Sequence, residues 1–113
     1  MKPTPEEARI ARTESVFRDV NEGIAETAEF FGSDETEFVC ECADPECQDR
    51  VELPLDRYEE VRAESTHFLI ANGHEEPDFE RVVERQPGHA IVRKLGRNLA
   101  ALVRRSDPRT NEA

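Results

Sequence analysis

The amino-acid sequence predicts an α+β fold: a long N-terminal helix packed on a small, mainly antiparallel sheet, with a β-hairpin whose tip carries three thiols. Three observations predict it. A seven-residue apolar repeat, Ile10, Phe17, Ile24 and Phe31, marks one unbroken N-terminal segment. Beyond it, short alternating apolar runs are separated by Gly, Pro, Asn and Asp. Cys40, Cys42 and Cys47 all fall between two of those runs.

Thr4-Pro5-Glu6-Glu7 reads as a helix start, with Thr4 as cap, Pro5 at the first helical position and Glu7 closing a capping box. The apolar repeat, flanked by Val16, Val20 and Ala28, then predicts one buried stripe on a helix from about Pro5 to Phe31, ended by Gly32. That is more than twice the mean helix length of ~11–12 residues, so the helix packs across the whole domain or pairs with a second copy. Thr13, Val20 and Thr27 at the alternate heptad positions are weak for a coiled coil, which favours packing within the chain. After Gly32-Ser33-Asp34, a strand is expected over 36–42 and a second over 49–53, joined by the Ala43-Asp44-Pro45-Glu46 turn. Asp56 and Glu59 read as cap and capping box of a second helix running to Glu64 and burying Tyr58 and Val61. Phe68-Leu69-Ile70 is a short strand and Asn72-Gly73-His74 a turn. Strands over 79–84 and 90–95 flank Gln86-Pro87-Gly88-His89 as a second hairpin. Leu95, Leu99, Leu102 and Val103 share one face of a last helix, Gly96 to Arg105. Residues 1–105 therefore form the single domain, and 106–113, with Pro108 and no core residue, read as a disordered C-terminal tail.

With 113 residues there is room for one compact domain, and a chain of this size buries too little surface for a large core. No stretch approaches the ~18 apolar residues of a membrane span, and Met1 to Ile10 has no apolar core of an export signal. A reducing cytoplasm is the expected location. The net charge of -11 is unpromising for general nucleic-acid or anionic-membrane binding. It is unevenly placed: residues 1–80 carry -16 and residues 81–113 carry +5. The basic third either folds onto the acidic body or presents Arg93, Lys94, Arg97, Arg104 and Arg105 to a partner.

Three cysteines spaced C-x-C-x4-C are a poor disulfide framework, and in a reducing compartment such clusters bind metal more often. Soft thiolates point to zinc, held by four tetrahedral Cys or His ligands, and the Asp44-Pro45 turn supplies the tight backbone that converging thiolates need. The hairpin thus becomes a metal-binding β-hairpin tip. His74 is the expected fourth ligand, since it sits in a polar turn that the strand before it can carry to the thiols. His67, His89, water, Asp44 and Glu46 remain alternatives. Free cysteine also packs as a small hydrophobe, but two cysteines at i and i+2 beside acids and a proline fit packing poorly.

The residues Arg12 to Glu22, Phe38-Val39-Cys40-Glu41-Cys42 with Cys47, Tyr58 to Arg62, Phe68-Leu69-Ile70 and Gly73-His74-Glu75 together resemble a group of small uncharacterised proteins of high-GC Gram-positive bacteria. The resemblance covers about residues 8–95 and implies that the three cysteines act with His74. It implies no activity. The chain lacks the His-x3-Cys-x2-Cys pattern of zinc anti-sigma factors.

No nucleophile elbow, P-loop, His-Glu-x2-His or dinucleotide fingerprint occurs, and His74-Glu75-Glu76 lacks the deaminase spacing. The expected function is a small zinc-stabilised protein-interaction or regulatory module without catalysis of its own, monomeric or paired through its long helix. A thiol-based redox or metal sensor and a nucleic-acid-associated factor using the Arg-rich third are the alternatives.

Overall fold

The fold is that of a computed structural model, which describes residues 2–32 and 35–109. It is α+β, in the order α1 (Pro5–Phe31), β1 (Glu35–Val39), β2 (Arg50–Pro54), α2 (Leu55–Arg62), β3 (His67–Ile70), β4 (Glu80–Gln86), β5 (His89–Lys94) and α3 (Arg97–Arg105). The strands form two antiparallel sheets: the β1–β2 hairpin and a three-stranded sheet ordered β3-β5-β4.

The start of α1 is the predicted capping box: the Thr4 hydroxyl accepts from the Glu7 N–H at 3.1 Å and the Glu7 carboxylate from the Thr4 N–H at 2.9 Å. Its end is Gly32 at φ 67, a left-handed cap that glycine enters without steric cost. The buried face differs from the expected stripe. Seven residues fall ~20° short of two full helical turns, so a strict seven-residue repeat rotates around a straight helix. Ile10 is accordingly 1% exposed, Phe17 and Ile24 are half-buried, and Phe31 is 73% exposed.

What α1 buries beside Ile10 is a seam of Ala11, Glu14, Arg18, Asn21, Ala25 and Ala28. Its polar members dock the helix by directional bonds. Glu14 accepts from Lys94 Nζ at 2.5 Å, and the same ammonium reaches Glu80 at 2.5 Å. Arg18 donates to the backbone carbonyls of Ser65, at 2.8 Å, and His67, and lies 3.6 Å from the centre of the Phe68 ring. Asn21 pairs in both senses with the backbone of Val39, at 2.9 and 2.8 Å, and so covers part of the open edge of β1.

Two apolar clusters lie on opposite faces of the central strand β5. Ala90 and Val92 join Phe68, Ile70, Leu99, Val103 and the cysteines, while Ile91 joins Leu69, Phe38, Val51, Leu53 and Tyr58. The second hairpin turns at Pro87-Gly88, with Gly88 at φ 88 where a side chain would be strained.

Three further details depart from expectation. The first strand ends at Val39, not at residue 42. Cys40 still donates its N–H to the Asp49 carbonyl, but Glu41 N–H turns to the Leu69 carbonyl at 2.7 Å, so the chain leaves β2 for β3. Helix α2 begins at Leu55 with no side-chain cap; Asp56 lies inside its first turn. Lys94, expected on a partner-binding face, is buried between two carboxylates, and this is where the basic third meets the acidic body. Arg93, Arg97, Arg104 and Arg105 remain exposed.

The expected tail also begins as core. Asp107 is 1% exposed and takes Arg62 in a two-pronged bond at 3.2 and 2.6 Å, while Arg109 bonds Glu22 and Glu59. The tail has few apolar residues, so the signal that ties it down is charge, not hydrophobicity. Residues 110–113 of the expected tail lie outside the described residues.

Candidate metal centre

Three short irregular segments build the site. The first is Cys40-Glu41-Cys42, pinned to β3 by Glu41. Its N–H bonds Leu69, and its wholly buried carboxylate accepts from Leu69 N–H at 3.0 Å, Asn21 at 2.8 Å and the Tyr58 hydroxyl at 2.7 Å. The backbone flanking each of these cysteines is therefore held from inside the core. The second segment is the Asp44-Pro45-Glu46 turn. Asp44 accepts from Glu46 N–H through its side chain and from Cys47 N–H through its carbonyl, which brings Cys47 back toward the first two thiols. The third is the loop after β3, where Gly73 at φ 88 lets His74 turn inward. Arg85 braces this loop by bonding Asn72 and Glu75, one on either side of the Gly73-His74 step.

The result brings Cys40, Cys42, Cys47 and His74 together, with one potential ligand atom from each lying within 4.8 Å of all the others. Nδ1 of His74 stands 3.6 Å from Sγ of Cys40 and 3.6 Å from Sγ of Cys47. A tetrahedral ion with bonds of ~2.3 Å to sulfur and ~2.0 Å to nitrogen separates those two atoms by about 3.5 Å. Second contacts orient the donors. Ala71 N–H donates to Cys40 Sγ at 3.2 Å, and His74 Nε2 lies 3.0 Å from the Asp49 carboxylate, leaving Nδ1 for the thiol side.

The three thiols also shift one another. The hydrogen bond between Cys40 and Cys42, foremost, pulls Cys42 down to about 5 and pushes Cys40 up. Burial pushes Cys47 up.

Of the other fourth-ligand candidates, His67 pairs with Arg93 at the start of β3 and His89 is buried in the second hairpin; burial lowers both their pKa values. Neither belongs to the cluster, and neither do Asp44 and Glu46. The sequence reading missed Glu41, Asp49, Asn21 and Arg85. Only Glu41 had a signal, as an acid between two cysteines, and nothing in that spacing said that it faces the core.

A shallow cavity of about 250 Å³, lined by Cys42, Asp44, Gly73, His74, Glu75 and Glu76, lies beside the cluster. No helix among the described residues is long and apolar enough to cross a membrane. No family model, curated protein or solved structure matches the chain.

Proposed function

We propose that this protein is a zinc-stabilised protein-interaction module of the cytoplasm, regulatory and without catalysis of its own, in which Cys40, Cys42, Cys47 and His74 hold the metal. The observation that carries the reading is the spacing of the four donors, with the His74 nitrogen 3.6 Å from two sulfurs. Thiolate and imidazole donors together suit zinc better than the harder divalent ions. Four protein ligands fill a tetrahedral site and leave no position for a reacting water, which is the pattern of structural zinc. Glu75, the nearest candidate for a base beside His74, is held by Arg85 at 2.9 Å. The chain ties β1, β2 and β3 together at this point, so the metal would join the hairpin to the three-stranded sheet.

Elemental analysis of the purified protein should find about one zinc per chain. Cys47→Ser and His74→Ala should lose it, while His89→Ala and His67→Ala should keep it. On chelation, amide protection should fall across residues 36–76 and persist in the middle of α1, which is held by Glu14 and Arg18. Unchanged protection across 36–76 in metal-free protein would mean that the cysteines are ordinary packing residues.

A second reading, a thiol-based redox or metal sensor, is favoured by Cys47, the one thiol of the three that is not fully buried. Loss of zinc at peroxide levels that leave other structural zinc proteins loaded would select it. A nucleic-acid role through the C-terminal third has less support, because Lys94 is spent inside the fold.

A further inference from the structure

An interaction module needs a surface, and α1 carries one on the side away from its buried seam. Val16, Val20, Phe30 and Phe31 are four of the five exposed large apolar residues among those described. At 100° per residue they fall on one face, together with Gly23 and Thr27. This face spans about 22 Å of helix. No described residue packs over Phe30 or Phe31, which are 83% and 73% exposed and meet each other edge to face.

The face borders a cavity of about 490 Å³, which adjoins a second of about 460 Å³ through Ala28 and Glu35. The first lies between α1 and β1, with Val20, Ile24, Thr27 and Phe31 along it. Gly23 lines it, and a Cβ there would meet nothing within 4 Å. No contact inside the fold calls for a glycine at this helical position. Every charged group on the two cavities is acidic: Glu35 and Glu37 on the first, Glu29, Glu35 and Asp56 on the second. None of these four carboxylates has an ion-pair partner among the described residues, although the fold pairs acids freely elsewhere.

We propose that this groove docks a basic amphipathic helix of a protein partner, apolar side chains against Val20, Ile24 and Phe31 and Lys or Arg against Glu29, Glu35 and Glu37. The proposal rests on the interaction-module reading and names the surface and the partner's chemistry. Helix-in-groove recognition needs an apolar floor with anchors at helical spacing, and complementary charge sets orientation and steers association. A second copy of this chain fits poorly, because it would set the same acidic rim against itself. The chain's own basic helix α3 is not available, since its apolar face, Leu99 and Val103, is already buried.

The test uses the zinc-loaded full chain and a synthetic peptide of about 20 residues with Leu on one helical face and Lys and Arg on the other. A scrambled peptide of the same composition is the control. Saturable amide shifts confined to Val20–Gly32, Glu35–Glu37 and Pro54–Asp56 are expected, with affinity weakening with salt and falling at least about tenfold for the scrambled peptide. Val20→Asp and the pair Glu35→Lys with Glu37→Lys should each weaken binding by about tenfold, with melting temperature and zinc content unchanged. Absent binding, equal binding of the scrambled peptide, or shifts elsewhere would overturn the proposal. A concentration-dependent dimer abolished by Val20→Asp would assign the groove to a second copy and overturn it too. Zinc content measured on the same samples reports on the metal reading independently of either result.

Discussion

Removing the Glu41 carboxylate should loosen the core and the metal centre together. The side chain is fully buried and accepts three hydrogen bonds, from Leu69 N–H at 3.0 Å, Asn21 at 2.8 Å and Tyr58 at 2.7 Å. In Glu41→Ala those three buried donors lose this acceptor, although the Asn21 amide keeps its other bond, to the Val39 carbonyl. Each buried orphan costs about 1–3 kcal/mol, so even the low end sums to about 3 kcal/mol. For a chain of this size that corresponds to a melting temperature lower by about 10 °C or more. Because Glu41 separates Cys40 from Cys42, the same change frees the backbone that presents both thiols, and zinc affinity should fall with it. Thermal denaturation of zinc-saturated protein and a competitive chelator titration read the two effects. Asn21→Ala, which removes one of the three donors and the Val39 bonds, should destabilise with a smaller effect on zinc. A Glu41→Ala protein that melts within about 4 °C of the parent and holds zinc equally well would refute the inference that this carboxylate pegs the site to the core.

Three other outcomes follow from named contacts. Ending the chain after Ser106 should destabilise at pH 7 by about 3–5 kcal/mol, because Arg18 and Arg62 would be left as buried cations without Asp107; urea denaturation measures it. Burial raises the Asp107 pKa, but the bond to Arg62 outweighs it and holds the group at about 2 against 3.8, so this stabilisation is present above pH 3.8 and is lost as pH falls toward 2. Glu14 runs the other way: burial lifts it from 4.5 to about 8 despite Lys94, so the folded state binds the extra proton and this contribution to stability falls as pH rises from 4.5 to 8. Glu14→Gln should remove that fall, read as a flatter melting temperature between pH 6 and 8 at saturating zinc than in the parent. Asp49→Asn should weaken zinc by about 10–100-fold in a chelator competition while leaving the metal-free protein's melting temperature unchanged, since Asp49 is exposed and its carboxylate acts on His74 Nε2.

Local signals carried the element list. Thr4 with Glu7, Gly32, the Pro87-Gly88 turn and the Asp44-Pro45 turn act within a few residues, and their backbone preferences hold whatever surrounds them. The thiol cluster was legible for the same reason: three soft ligands within eight residues suit a tight turn around one ion. His74 was within reach as a histidine beside a glycine turn, although its arrival at the thiols depends on β3 lying beside residues 40–41.

Tertiary structure decided which face of α1 is inside. Apolar periodicity pointed to Ile10, Phe17, Ile24 and Phe31, yet the helix buries Glu14, Arg18 and Asn21, because each finds a partner far along the chain: Lys94, the carbonyls of Ser65 and His67, and Val39. A buried charge is tolerated only where such partners converge, and convergence across tens of residues leaves no trace in local spacing. The same holds for Asp107, which a composition rule assigns to a tail until Arg62 and Arg18 are seen beneath it. By itself the sequence determined the helices, the turns and the clustering of the three thiols, which rest on short-range backbone and side-chain chemistry, whereas His74 joins them only because β3 lies beside residues 40–41. Which polar groups enter the core, and hence which apolar face of α1 is left for a partner, was decided by long-range pairing of charges that only the folded chain brings together.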